Sequence, residues 1–135
     1  MRPLITLTMF VLLASCDSAT GPDESLVLGA VGSVVFIVPD TVSAYVPFTV
    51  SIRTFGAGCH SVGPTEVVIN GLDAEITPFD YLVTSDGVGC IDIGRIFDHE
   101  ASLTFTTRGS ATVTIRARET RDDLPFERIH AVWVR

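Results

Sequence analysis

The chain has 135 residues, a formal net charge of −7 and a hydrophobic content of 47%, and its basic residues are all arginine. That apolar content argues against general disorder, and the length fits one modest domain. An acidic chain without a basic cluster is poorly suited to phosphate backbones, which argues against nucleic acid as a partner, and it lacks the polybasic segment of an electrostatic membrane binder.

The sequence opens with Met1-Arg2-Pro3 and an apolar run from Leu4 to Leu13. A basic start, a short apolar stretch and small residues after it are the parts of a secretory signal peptide. The run is too short to span a bilayer core, which takes about 20 apolar residues. Leu13-Ala14-Ser15-Cys16 resembles the lipobox of bacterial lipoproteins, a likeness confined to the start of the chain. The resemblance implies that residues 1–15 are removed and that Cys16 becomes a lipid-modified first residue. It also implies that the protein sits in the cell envelope, on the periplasmic side or the cell surface, held to the membrane by acyl chains at Cys16. Two or more such chains give stable anchoring where one does not. Loss of Arg2 with the leader takes the formal charge from −7 to −8.

Small, polar and turn-forming residues follow Cys16, and residues 16–30 read as the lipidated N-terminus and a flexible tether, with the folded domain over residues 31–135. The apolar stretch from Leu26 to Val38 is interrupted by Gly29 and Gly32 and ends at Pro39-Asp40. Its β-branched residues favour a strand over a membrane segment, with Ser33 to Val38 as the first strand.

Next, Phe48, Val50 and Ile52 alternate with Thr49, Ser51 and Arg53, the period-2 pattern of a sheet with one wet face. Glu66 to Ile69 leads through Asn70-Gly71 into Leu72 to Ile76, a strong hairpin signal. A loop made of Asn70 and Gly71 would pair Ile69 with Leu72 and set Glu66 opposite Glu75, an unfavourable like-charge pair. Asp98, His99 and Glu100 read as a polar loop, with at most one helical turn before Leu103. Leu103 and Phe105 then alternate with threonines, Arg108-Gly109 turns the chain, and Ala111, Val113, Ile115 and Ala117 form the cleanest apolar face. Thr120 to Pro125 is a charged turn, and Ile129 to Val134 closes the sequence.

No segment sustains an apolar period of 3.6, so the expected fold class is all-β. About seven short strands between turns point to an antiparallel two-sheet sandwich. The stretch from Leu103 to Ala117 resembles the late strands of bacterial immunoglobulin-like modules, which implies an immunoglobulin-like sandwich. Phe48, Phe55, Phe79, Tyr81, Phe97, Phe105, Phe126 and Trp133 are then mostly core. Some of Tyr45, Phe55, Phe79 and Tyr81 would be available for an exposed patch facing a protein or glycan of the envelope.

With Cys16 taken by lipid, Cys59 and Cys90 have one possible pairing, and a disulfide is the default in an exported domain. It should pin a Gly56–Thr65 loop to the segment around Val88-Gly89. A reactive thiol at Cys59, activated by His60, is the competing reading.

Motifs for catalysis are missing from the sequence. His99-Glu100 lacks the second histidine four residues on that a zinc protease needs, since position 103 is Leu103. There is no Gly-x-Ser-x-Gly elbow and no phosphate-cradling loop. Asp73, Glu75, Asp80, Asp86, Asp92 and Asp98 do not fit an EF-hand; they read as soluble surface, with a calcium site between loops as the alternative. The expectation is therefore a binding or structural protein with no cofactor, no metal and no catalytic residues. Its rival is an enzyme or enzyme accessory with a loop-built site drawn from His60, Asp92, His99 and His130.

Overall fold

Alternation of buried and exposed residues builds the three strands that supply most of the core. Val50, Ile52 and Thr54 point inward from one strand, Ala74, Ile76, Pro78 and Asp80 from a second, and Ala111, Val113, Ile115 and Ala117 from a third. A computed structural model describes residues 23–32, 36–84, 89–91 and 93–135. The expected leader, the lipidation site Cys16, and the acidic residues Asp86 and Asp92 lie outside the described residues.

Among the described residues the elements are all strands: β1 (Asp23–Leu28), β2 (Ala30–Val31), β3 (Phe36–Ile37), β4 (Thr41–Val42), β5 (Phe48–Gly56), β6 (His60–Asn70), β7 (Asp73–Thr84), β8 (Arg95–Leu103), β9 (Gly109–Glu119) and β10 (Pro125–Val134). Among the described residues no helix is long and apolar enough to cross a membrane. All-β is right, but the two-sheet, seven-stranded immunoglobulin-like sandwich is not. The ten strands form one hydrogen-bonded sheet along β1-β7-β9-β2-β5-β3, with β6 on β7, β8 on β5, β10 on β9 and β4 on β10. Nor is it wholly antiparallel, since β7–β9, β2–β9 and β4–β10 run parallel.

The sheet curls like a half-barrel and covers its own inner face. Val50, Ile52, Ala101 and Leu103 from β5 and β8 join Ala74, Ile76, Val113, Ile115, Val132 and Val134 in one core. Curling lets a single sheet bury its apolar face as two packed layers would. Phe105 is fully buried, with its ring 5.7 Å from that of Phe48, and Phe36 stacks on Phe126 at the same distance. Trp133, expected in the core, is on the outer face and 57% exposed.

Continuity depends on the two-residue strand β2, which pairs with β9 on one side and β5 on the other. Gly29 just before it makes this passage possible. Its N–H donates to the Pro78 carbonyl at 2.9 Å, and its own carbonyl accepts from the Arg118 N–H at 3.0 Å. A Cβ at position 29 would sit 2.6 Å from Thr54 Cγ2. Inside the stretch read as tether, Asp23 to Leu28 pairs along β7 from Thr84 to Phe79 and is part of the sheet.

Three local expectations also change. The β6–β7 turn is centred on Gly71-Leu72, with Asn70 opposite Asp73 and Ile69 opposite Ala74. Gly71 has φ 63, and positive φ at the first central residue is the II′ pattern. This one-residue shift separates Glu66 from Glu75 and puts Glu75 beside Arg116 of β9, Oε2 to Nη2 3.2 Å. Residues 98–100 belong to strand β8 rather than to a loop. His60 to Thr65 lies in β6, so the Cys59–Cys90 disulfide holds the short β5–β6 turn, not a long loop.

Candidate functional site

Three polar residues occupy inward positions on otherwise apolar strand faces, and they meet. Thr54 shares its face of β5 with Val50 and Ile52, Asp80 follows Ala74, Ile76 and Pro78 on β7, and His99 precedes Ala101 and Leu103 on β8. The curl brings β7 against β8 from inside. His99 Nε2 then lies 3.1 Å from Asp80 Oδ1 and 3.0 Å from Thr54 Oγ1. The other ring nitrogen, Nδ1, lies 3.2 Å from Thr65 Oγ1.

Thr65 reaches the ring because β6 is irregular. The register shifts between Val62 and Thr65, which leaves Gly63 and Pro64 in a β-bulge. A bulge is where a strand tolerates proline and re-aims a side chain. A Cβ on residue 63 would lie 2.5 Å from the Phe79 carbonyl oxygen, so the bulge packs closely on β7.

The side chains of His99 and Asp80 are 1% and 2% exposed. A proton on Nε2 serves the carboxylate, and Nδ1 is left to the Thr65 hydroxyl, which can donate to it. Asp80 Oδ2 is buried with no hydrogen-bond partner among the described residues. An orphaned buried carboxylate oxygen is costly in a low-dielectric interior, so the single His99 contact has high stakes. Hydroxyl, imidazole and carboxylate stand in the order of a proton relay. Both the ring and the carboxylate are almost wholly buried, and their hydrogen bonds tie β8 to β5, β6 and β7.

Two other sequence candidates, His60 and His130, lie apart from it. His60, at the start of β6, accepts the Ala57 N–H at Nδ1, 3.2 Å away. His130 on β10 pairs at Nε2 with Asp40 Oδ1, 3.1 Å away on the surface. Among the described residues no three histidine, cysteine, aspartate or glutamate side chains form a group able to hold a metal. Cys59 is bonded to Cys90, which removes the free thiol that His60 would have activated.

The sequence reading placed His99 in a polar loop and Asp80 on a soluble surface. Strand parity carried the missed signal: Asp80 and His99 fall in step with buried apolar residues two and four positions away. Along β3, β5 and β8 lies a groove of about 460 Å³ lined by Phe36, Ile37, Ser51, Arg53, Asp98, His99 and Glu100, although the His99 side chain is only 1% exposed. Arg53 Nε donates to Asp98 Oδ1 at 2.8 Å, so the groove's cation is already paired. Compared with protein-family models, curated proteins and solved structures, the chain finds no match.

Proposed function

We propose that this is an exported, lipid-anchored cell-envelope protein whose β-domain has a binding or structural role. Leu13-Ala14-Ser15-Cys16, after a basic start and a short apolar run, is the observation that carries the reading. The Cys59–Cys90 disulfide supports it, because such bonds persist in oxidising compartments outside the cytosol. The membrane contact is through lipid at Cys16, and the partner class is a protein or glycan of the envelope. The buried placement of His99 and Asp80 favours a structural part for the chain's best-connected titratable pair.

Expression in a bacterial host, separation of membrane and soluble pools, and intact-mass analysis test this directly. The expected species is membrane-bound, starts at Cys16, carries added acyl mass and lacks two hydrogens at Cys59 and Cys90. A soluble, unacylated chain retaining residues 1–15 or cut elsewhere overturns the anchored reading.

A further inference from the structure

We propose that the disulfide-bearing end of the sheet is laid against the bilayer, with Ile91, Ile93 and Ile96 dipping into a zwitterionic lipid surface. The inference rests on the lipid-anchored reading above and says which face of the domain the anchor presents.

Three isoleucines close together in sequence are left in water: Ile91 is 67% exposed, and Ile93 and Ile96 are each 59% exposed. Single exposed apolar residues need no explanation, but a cluster marks an interaction surface. The route of the chain identifies what covers this one. Asp23, where the described residues begin, pairs with Thr84, and Glu24 pairs with Val83. The Val83 N–H donates to the Cys59 carbonyl at 3.0 Å, Cys59 is bonded to Cys90, and the Gly58 N–H donates to the Ile91 carbonyl at 3.0 Å. Each step crosses one strand spacing, so Ile91 lies about 15 Å from the point where the chain arrives from Cys16. Only Asp17 to Pro22 intervene between Cys16 and Asp23, a stretch that reaches at most about 25 Å when fully extended. The anchor therefore holds this end of the sheet, rather than the far end of β7 at Asp73, near the lipid.

Two further features fit a membrane face. The Cys59–Cys90 bond and the Gly58–Ile91 hydrogen bond hold Ile91 in place, so little ordering cost remains to be met on insertion. Each isoleucine withdrawn from water multiplies partitioning by roughly tenfold. Among the described residues the exposed charges at this end are Asp23, Glu24 and Arg95, and the sequence adds Asp86 and Asp92 beside them; a net acidic end disfavours an anionic surface and leaves a zwitterionic one.

The native protein carries a reporter for the far end. Trp133 pairs with Ser110, two residues before the Thr112–Asp73 pair, so it belongs to the opposite end of β7 from Thr84. The test uses full-length acylated protein in phosphatidylcholine vesicles, with and without bromine on the acyl chains as a quencher. Ile93→Trp and Ile91→Trp, each combined with Trp133→Phe, should lose most of their emission in brominated vesicles. Trp133 in the otherwise native chain should keep its emission. Acylated, vesicle-bound protein in which neither new tryptophan is quenched overturns the inference and leaves the anchor intact. Failure of the anchor itself is read separately, as absence of acyl mass and of vesicle binding, and it removes both proposals. The altered positions are exposed, and an intact disulfide by mass checks that each variant has folded.

Discussion

His99 on β8 and Asp80 on β7 meet at 3.1 Å inside the curled sheet, with both side chains almost wholly buried. The pair joins two parts of the sheet that share no ladder. Its geometry makes loss of one partner worse than loss of both, because Asp80 Oδ2 is already unpaired. His99→Ala is expected to cost about 3 kcal/mol, the upper end for leaving a buried acceptor without its partner. Replacing both with apolar residues, Asp80→Leu with His99→Phe, should recover much of that loss. Urea unfolding of the two singles and the double gives the coupling; additive losses would show that the residues do not act as a unit.

The disulfide closes a loop with a sequence separation of 31 between the β5–β6 turn and Cys90. Cys59→Ala with Cys90→Ala should lower stability by about 2–4 kcal/mol on the chain-entropy account. Comparing unfolding midpoints of this variant with the native and the reduced protein checks it. Reduction and double replacement should agree.

Gly29 and Gly71 are needed for different reasons, and one substitution in each separates them. At Gly71 a Cβ meets nothing within 4 Å, but φ is 63, so Gly71→Ala should cost about 1–2 kcal/mol in backbone strain. At Gly29 the obstacle is Thr54 Cγ2 at 2.6 Å, and Gly29→Ala should cost about 1–3 kcal/mol through overpacking. Thr54→Ser removes that methyl and keeps the hydroxyl beside His99. It should therefore offset part of the Gly29→Ala loss and none of the Gly71→Ala loss, as thermal melts of the four variants would show.

Arg116 lies between two acids on the outer face, with Nη2 3.2 Å from Glu75 and Nε 3.5 Å from Glu127. Its side chain is 55% exposed, so Arg116→Ala should cost less than about 1 kcal/mol. The loss should shrink further at high salt, where exposed charges are screened. A salt-independent loss would point to packing of the Arg116 stem instead.

Individual strands were largely readable before any coordinates. The alternation in Phe48 to Ile52 and in Ala111 to Ala117 marked both strands and their buried faces correctly, since a pleated chain exposes every second side chain to the same side. Pairing was less readable. The Asn70-Gly71 signal identified a hairpin but placed its register one residue off, because a glycine with positive φ can hold either the first or the second loop position, and Gly71 holds the first. The likeness of Leu103 to Ala117 to immunoglobulin-like modules was equally misleading, since that stretch shares its alternation with any half-buried hairpin. Asp23 to Leu28 looked like tether because its polar residues do not alternate strongly; its partner on β7 makes it a strand.

The sequence alone determined the all-β character, the Cys59–Cys90 pairing, and the inner faces of the strands around Val50 and Val113. These depend on local order and on counting. Tertiary structure decided that two-residue β2 would fuse the strands into one sheet, that Asp80 and His99 would meet inside it, and that Ile91, Ile93 and Ile96 would stay in water near the chain's point of arrival. Each of these is a relation between segments far apart along the chain, and hydrogen-bond partners and close approach across a curled sheet leave no periodic mark in either segment by itself.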